Sequence, residues 1–538
     1  MKEMKADVYR KWKWERILPA KEMFYYLFFG LLLFAKGIGL YDGQTSFKLF
    51  LMAALLCWVI KMCLTEYTLR EGAAVAALVL LGLIVYRSSG EKAALVSVLV
   101  VTGMKGIPLK RLFAVGLVIW TGCFAGMLAL SLTGVIEPLM LVHNKMGLGY
   151  VIRNSLGYTH PNVLHISYVI LIAFWFYVLD LKGRRAISAV ILAFLGNIYI
   201  FLYSLSYTGF VMTAAYLILV SYFTFRRRRT KAEEVIIQCL MPACVLTALF
   251  APLLLKGQAF EIADKIVNWR FRLTRRYLIP ENVSLFGTRM AMDRGSVDCS
   301  YVYGLIYYGV LLFGLFMVGY FFLIRHLLKE KRGAEVALVL GIVAAGFTEP
   351  FQFNFSFKNL VLPFLGEYLF WLLRVREERS SIWTRRVWGG LPKWNALLPW
   401  PVRTGMAKEK KNESAGRRIL IAACIAGALI GGVVGRNIPV KPYAIVAKGY
   451  SDRVGGRDDY EIFGELPEEI VENSLQIHCD GPETLVYVFE GNTVRMERFR
   501  NIVTSAFAGG AVAVIVCRGA CGYFDGRKNR KRKGEEGK

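Results

Sequence analysis

FAVGLVIWTGCFAGMLALSLT, residues 113–133, runs for 21 residues without a single charge. A helix needs about 20 apolar residues to cross the hydrocarbon core of a bilayer. Lipid offers the backbone no hydrogen bonds, so only helices and closed barrels cross it. The run is continuous rather than alternating, which reads as helix. The same signature recurs along the 538 residues, and the expected spans are Met23–Leu40, Phe47–Leu64, Gly72–Tyr86, Ala93–Met104, Phe113–Thr133, Val163–Leu179, Ile187–Tyr203, Phe210–Phe225, Val235–Leu255, Tyr301–Ile324, Val336–Phe347, Asn359–Leu373, Ile419–Gly435 and Ile502–Cys517. The expected fold class is an all-α integral membrane protein, a multi-span helical bundle of about twelve plus two transmembrane helices. The span from Ala93 is short enough to be a re-entrant piece.

Charge sets the expected orientation. Met1–Glu22 holds seven Lys/Arg and no cleavage site follows the first apolar run, so the N-terminus reads as a cytoplasmic anchor. With loops alternating from there, 43 of the 67 Lys/Arg fall inside, 21 outside and 3 within spans. This is the bias that the positive-inside rule describes. It predicts a multi-pass protein of the cytoplasmic membrane with both termini inside. The net charge of +27 is then a topology signal and a contact with anionic lipid, the polybasic tail Arg527–Lys533 included. It excludes nucleic acid as a partner, because no basic soluble domain is present. Trp12, Trp14, Trp383, Trp388, Trp394 and Trp400 sit among Lys and Arg and read as interfacial anchors. The ten cysteines show no paired spacing; Cys299 and Cys479 are expected outside.

One expected outer loop runs against the charge pattern. Lys256–Ser300 carries eight Lys/Arg against five Asp/Glu, with Arg270, Arg272, Arg275 and Arg276 inside seven residues. It is either a solvated basic loop or an anion site, since guanidinium forks match phosphate oxygens. A second outer segment, Val135–Asn162, adds His143, Lys145, Arg153 and His160. Pro161 suits a helix start, and His160 then lies at the positive end of the helix dipole, as cap or as functional group.

Arg153-Asn154-Ser155-Leu156-Gly157-Tyr158-Thr159-His160-Pro161-Asn162, Gly103–Lys110, Leu285-Phe286-Gly287 followed by Asp298-Cys299-Ser300-Tyr301, and Glu349 at the end of the next span occur in this order. With them the chain, over roughly Met23 to Leu373, resembles the Wzy-type O-antigen polymerase and ligase superfamily in its Gram-positive capsule and exopolysaccharide form. Two departures stand out. Ser206-Tyr207-Thr208-Gly209 has Tyr207 where the family shows Arg, so a compensating cation is needed, and Cys299 replaces an Asn. The resemblance implies a glycosyltransferase C-like fold. It implies polymerisation of undecaprenyl-pyrophosphate-linked repeat units on the outer leaflet, without cofactor, nucleotide sugar or metal. It also implies pathway partners, a flippase and a chain-length regulator. Such chemistry needs cations for the leaving pyrophosphate and a base for the acceptor hydroxyl. Arg153 and Arg272 (or Arg270) are the expected clamp, with Arg276, Asn162 and Tyr301 as further substrate contacts. Asp298 is the expected base, or else the N-cap of the span at Tyr301; His160 and Glu349 are the reserves. A ligase that moves finished glycan, and a flippase for lipid-linked sugars, are the alternatives. A flippase calls for ionisable residues deep in spans and for broken, repeated helices.

The composition changes after residue 373. The expected domains are the membrane core 1–373, a basic inner linker 374–418, a two-helix membrane hairpin 419–517 around an outer segment 436–500, and a basic tail 518–538. The outer segment has twelve Asp/Glu against eight Lys/Arg. It reads as a small extracytoplasmic α/β insert, with a hairpin around Asp480-Gly481 and a short helix at Glu468–Asn473. Two spans around an outer segment loosely resemble polysaccharide chain-length regulators. Gly427, Gly431 and Gly435, four apart, predict close packing against another helix.

Overall fold

All fourteen expected spans coincide with helices. The computed structural model describes residues 18–136, 139–145, 149–226, 228–267, 269–290, 297–375, 385–388, 413–440, 443–447, 461–463, 477–479, 484–488 and 491–535. Within 140–152, 413–418, 443–494 and 520–535, and at 375 and 386–387, it describes backbone alone. The helices are α1 (Ala20–Gly37), α2 (Thr45–Cys63), α3 (Leu69–Ser89), α4 (Lys92–Gly103), α5 (Leu109–Leu132), α6 (Pro161–Leu179), α7 (Arg184–Ser204), α8 (Tyr207–Phe225) and α9 (Lys231–Leu254). There follow α10 (Gly257–Ile266), α11 (Arg270–Tyr277), α12 (Ser300–Lys329), α13 (Gly333–Gly346), α14 (Val361–Val375), α15 (Glu413–Arg436) and α16 (Gly491–Glu535). The chain divides into two compact units. The first is Met1–Ala129, His165–Ile198 and Ser206–Val402; the second is Leu130–Leu164, Tyr199–Leu205 and Arg403–Lys538.

Among the described residues, ten helices are long and apolar enough to cross a membrane. Their burial shows what solvates them. Only 17% of the apolar window of α2 and 22% of that of α9 is buried, and Leu49, Met52, Ile236 and Leu254 stand largely exposed. Water does not tolerate apolar faces of this extent on a folded chain, and lipid does. The molecule thus has the make-up of an integral membrane protein. The short helices α4 and α13 are the reverse case. In α4 all residues from Ala93 to Gly103 except Leu95 are buried, and α13 is buried almost throughout. Helices packed on all sides by protein need not match the lipid thickness, so α4 is an interior helix.

Local signals set the ends. Thr68 and Glu71 form a capping box at the start of α3, and Thr230 and Glu233 form one at α9. Gly90 ends α3 in the left-handed conformation. Helix α12 is broken at Gly309 (φ 72°, ψ 169°). The stretch Ser284–Thr288 lies in the break. Val310 N–H donates to Ser284 O, Leu311 N–H to Leu285 O and Thr288 N–H to Ile306 O, while Ser88 Oγ donates to Gly287 O. A Cβ on Gly287 would stand 2.2 Å from Tyr307 O, and one on Gly309 would stand 2.3 Å from Gly287 N. Only glycine permits this approach.

Trp388, on the short strand β4 (Arg386–Trp388), donates to Cys63 O, and β4 pairs with β1 (Tyr67–Thr68). The other five anchor tryptophans lie outside the described residues.

The second unit contains a hairpin of β2 (Met140–Lys145) and β3 (Gly149–Asn154), with Leu141 opposite Arg153. It also holds a four-stranded sheet in the order β6 (Glu461–Phe463), β5 (Tyr443–Ala447), β8 (Thr484–Val488), β7 (Ile477–Cys479). The hairpin expected around Asp480-Gly481 is present, with Cys479 paired to Leu485. The expected helix at Glu468–Asn473 lies outside the described residues. Helices α15 and α16 pack at backbone distance. Added Cβ atoms on Gly427, Gly431 and Gly435 would meet Gly509 O, Ser505 O and Asn501 O at 2.0–2.4 Å. The glycine stripe therefore does what its spacing predicts.

Candidate functional site

Lys256–Ser300 is not the loop that its charge suggested. It contains the helices α10 and α11. In α11 the buried residues are Arg270, Phe271, Thr274 and Tyr277, the face of a short amphipathic helix. Phe271 packs edge-on to Phe347 at the end of α13, centroids 6.3 Å apart. Trp269 precedes α11 in a left-handed conformation, φ 65°, which a large side chain adopts only under constraint. Asp264 supplies that constraint. It is fully buried, its carbonyl accepts Trp269 N–H at 2.8 Å, and its Oδ1 accepts Arg272 N–H at 3.0 Å. The turn thereby carries Arg270 inward.

Arg270 Nη2 donates to Glu349 Oε1 at 2.9 Å. Thr208 Oγ1 donates to the same oxygen at 3.2 Å, and Ser300 Oγ donates to the Glu349 carbonyl at 2.5 Å. Arg270 and Glu349 are 7% and 8% exposed. Among the described residues, the Nε and Nη1 of Arg270 are buried without a hydrogen-bond partner. A buried guanidinium with open N–H groups costs free energy unless something accepts from it. The cation shares the Glu349 oxygen with Thr208, in the Ser206–Gly209 element; Ser206 caps α8 there by accepting Gly209 N–H at 3.3 Å.

The other loop arginines are engaged otherwise. Arg272 is 54% exposed and pairs with Glu261 at 2.8 Å and Asp264 at 3.4 Å. Arg275 donates to the carbonyls of Pro252 and Leu255, closing α9, and stacks on Phe260 at 3.6 Å. Arg276 is exposed. The choice between Arg270 and Arg272 thus falls on Arg270 as the residue turned inward. Tyr301 is corrected as well. It is fully buried and donates its hydroxyl to Val343 O at 2.5 Å, so it ties α12 to α13. Asp298 is half-buried and lies two residues before Ser300, and the N-cap of α12 is Cys299, with no side-chain cap bond. The N-cap position expected for Asp298 is occupied by Cys299, one residue further along the chain. Cys299 is a buried free thiol.

The sequence reading passed over three further residues. Lys358 follows the turn after α13 and is 5% exposed. Burial pulls its pKa down to about 7; the nearby Lys36 adds to this and Glu349 partly offsets it. His165 is fully buried, with Nε2 2.7 Å from Asn197 Oδ1, and its ring leaves no room for a side chain at Gly209. Asp264 is the third. Each is a single polar residue in an apolar or mixed stretch, and pattern does not single it out.

The second unit has its own polar group. Arg153 is buried at the end of β3, its Nε donating to Ser204 O at 2.7 Å and its Nη2 to Asn162 Oδ1 at 2.5 Å. Asn162 N–H donates to His160 Nδ1 at 3.1 Å. Pro161 opens α6 as predicted. The side chains of His143 and Lys145 lie outside the described residues.

No family model, curated protein or solved structure matches this chain.

Proposed function

We propose that this chain polymerises lipid-linked oligosaccharide units at the outer face of the cytoplasmic membrane, as a glycosyltransferase C-like enzyme. The observation that carries the reading is Arg270. It is a buried cation held by Glu349, an oxygen of which also accepts from Thr208, and its Nε and Nη1 have no hydrogen-bond partner among the described residues, in a unit built of apolar helices. A cation of this kind matches the charge that develops on a departing pyrophosphate. Glu349 orients the guanidinium. Asp298, two residues from the serine that holds Glu349, is the base that takes the proton of the acceptor hydroxyl. The growing glycan leaves its polyprenyl pyrophosphate as that hydroxyl attacks the anomeric carbon. The resemblance around Arg153–Asn162 and Leu285–Tyr301 supports the same reading, with both termini inside and with a flippase and a chain-length regulator as partners.

The purified chain in lipid, given lipid-linked repeat units, should form longer glycans. Arg270→Ala should abolish this. Asp298→Asn should lower it about 100-fold or more, since an amide has no basic lone pair. Activity of Asp298→Asn within a few-fold of the starting chain would reject the base. The break in α12 at Gly309 favours a second reading, transport of lipid-linked sugar, because broken helices line such paths. Movement of labelled lipid-linked unit across the bilayer without any change in glycan length would select it.

A further inference from the structure

Beyond its break at Gly309, α12 lines a cavity of about 210 Å³ together with α3, α4 and α14. Every lining residue is apolar except Tyr368. An apolar cavity of about 150 Å³ stays dry and holds a benzene ring, so this one has room for a longer piece of hydrocarbon. Left empty, its walls would forfeit their dispersion contacts.

The cavity opens towards lipid. Leu315, Val318 and Phe322 belong to its wall and are 46%, 54% and 44% exposed. They stand on a helix long and apolar enough to span a membrane, where lipid chains and not water meet an exposed side chain. On α12 the wall runs from Leu312 to Phe322, about 15 Å of helix. That is about half of the roughly 30 Å hydrocarbon core, the depth of one leaflet.

Charge and amphipathic rings mark one end of the cavity. Val318, Phe322, Arg325 and Lys329 follow at spacings of four, three and four, which keeps them on one face of α12. Arg325 and Lys329 are exposed, and among the described residues neither side chain has a hydrogen-bond or ion-pair partner. Glu335 on α13 and Glu367 on α14 are committed to Arg332, at 3.3 and 2.7 Å; Glu330 is exposed beside Lys329. The His326 ring packs on Trp371 and on Tyr368, centroids 4.1 and 5.2 Å apart, and Arg325 lies within electrostatic reach of Tyr368. Rings with an apolar body and a polar tip belong at the depth where hydrocarbon meets headgroups. Lys and Arg at that depth attract anionic headgroups.

We propose that this cavity seats one acyl chain of an anionic phospholipid, drawn from the leaflet at the Lys329 end of α12, with Arg325 and Lys329 on its headgroup. The opposite end of α12 is Ser300, which holds the Glu349 carbonyl. The lipid therefore stands apart from the Arg270 site, and its binding does not depend on the polymerase reading.

Native mass spectrometry of the full chain in detergent micelles tests it, with phosphatidylglycerol and phosphatidylcholine titrated as probes. The first phosphatidylglycerol should bind about 10-fold more tightly than the first phosphatidylcholine. Leu315→Trp and Leu369→Trp fill the cavity from two of its walls and should weaken the first phosphatidylglycerol about 10-fold or more, the worth of a few buried methylenes. The double variant Arg325→Gln/Lys329→Gln should bring the two lipids within about 2-fold while phosphatidylcholine binds as before. Its two positions are exposed, so it carries the test if the Trp variants do not fold. Equal binding of the two lipids by the unaltered chain, undiminished first binding in folded Trp variants, or a preference retained by the Gln pair overturns the proposal. Undecaprenyl phosphate bound more tightly than phosphatidylglycerol, and lost in the Trp variants, would give the cavity to a polyprenyl tail and overturn it as well.

Discussion

Replacing Arg270 with Met leaves the Glu349 carboxylate, 8% exposed, with the Thr208 hydroxyl but without its guanidinium. Replacing Glu349 with Leu leaves a buried guanidinium whose Nη2 loses its acceptor, beside the Nε and Nη1 that have none among the described residues. Removing one partner of a buried ion pair costs about 3–5 kcal/mol. Replacing both with apolar residues of similar volume removes both desolvation penalties and is often neutral or better. The double variant Arg270→Met/Glu349→Leu should therefore lie within about 1 kcal/mol of the starting chain. Each single variant should lie about 3 kcal/mol or more below it. The coupling energy from the cycle should be at least about 2 kcal/mol, against the roughly 0.5 kcal/mol scatter of independent sites. Reversible denaturation of the purified protein in mixed micelles reads it, followed by tryptophan fluorescence. The double variant should be stable and should make no polymer, which separates a chemical duty of Arg270 from a structural one. Additive single effects, or a stable double variant that still polymerises, would refute the reasoning.

The remaining predictions concern other parts of the fold. Gly309→Ala should destabilise by about 1–3 kcal/mol through strain at positive φ and through the close approach of Gly287 N, seen as a lowered unfolding midpoint. Gly510→Cys should cross-link to the native Cys424, whose Sγ lies 3.4 Å from the new Cβ, a separation compatible with disulfide geometry; failure under mild oxidant would contradict the pairing of α15 with α16. Lys358 is more weakly basic in the fold (about 7) than in the unfolded chain (10.5). The unfolded state then holds the extra proton across that window, so stability from this group rises with pH between them and is flat below about 7. Unfolding midpoints from pH 6 to 9 should show the rise, and Lys358→Met should flatten it.

The span positions were legible because length and continuity of apolar residues are demanded by the bilayer itself. The glycine stripe at Gly427, Gly431 and Gly435 was legible because backbone contact between helices admits no side chain. Helix α11 was not. Its buried face is Arg270, Phe271, Thr274 and Tyr277, and the arginines around it mask that face as a solvated run. The β2–β3 hairpin was also missed, since its six-residue strands carry His143, Asn144, Lys145 and Arg153 in place of clean alternation. At the site the sequence identified the cation-rich segment and the carboxylate Glu349 but put Arg272 ahead of Arg270, whereas the structure turns Arg270 inward. The difference is one turn geometry, Trp269 held left-handed by Asp264, which no local pattern announces. Lys358 escaped notice because a lone lysine after four phenylalanines forms no pattern, and only the fold buries it.

The most direct test of the central claim is the lipid-linked and surface glycan profile of a cell from which this chain is deleted. The account predicts that long surface polysaccharide disappears while single repeat units accumulate on polyprenyl pyrophosphate at the outer leaflet. It also predicts that the unaltered chain restores the polymer and that Arg270→Ala does not. Surface polysaccharide of unchanged length, or restoration by Arg270→Ala at normal protein level, would contradict it.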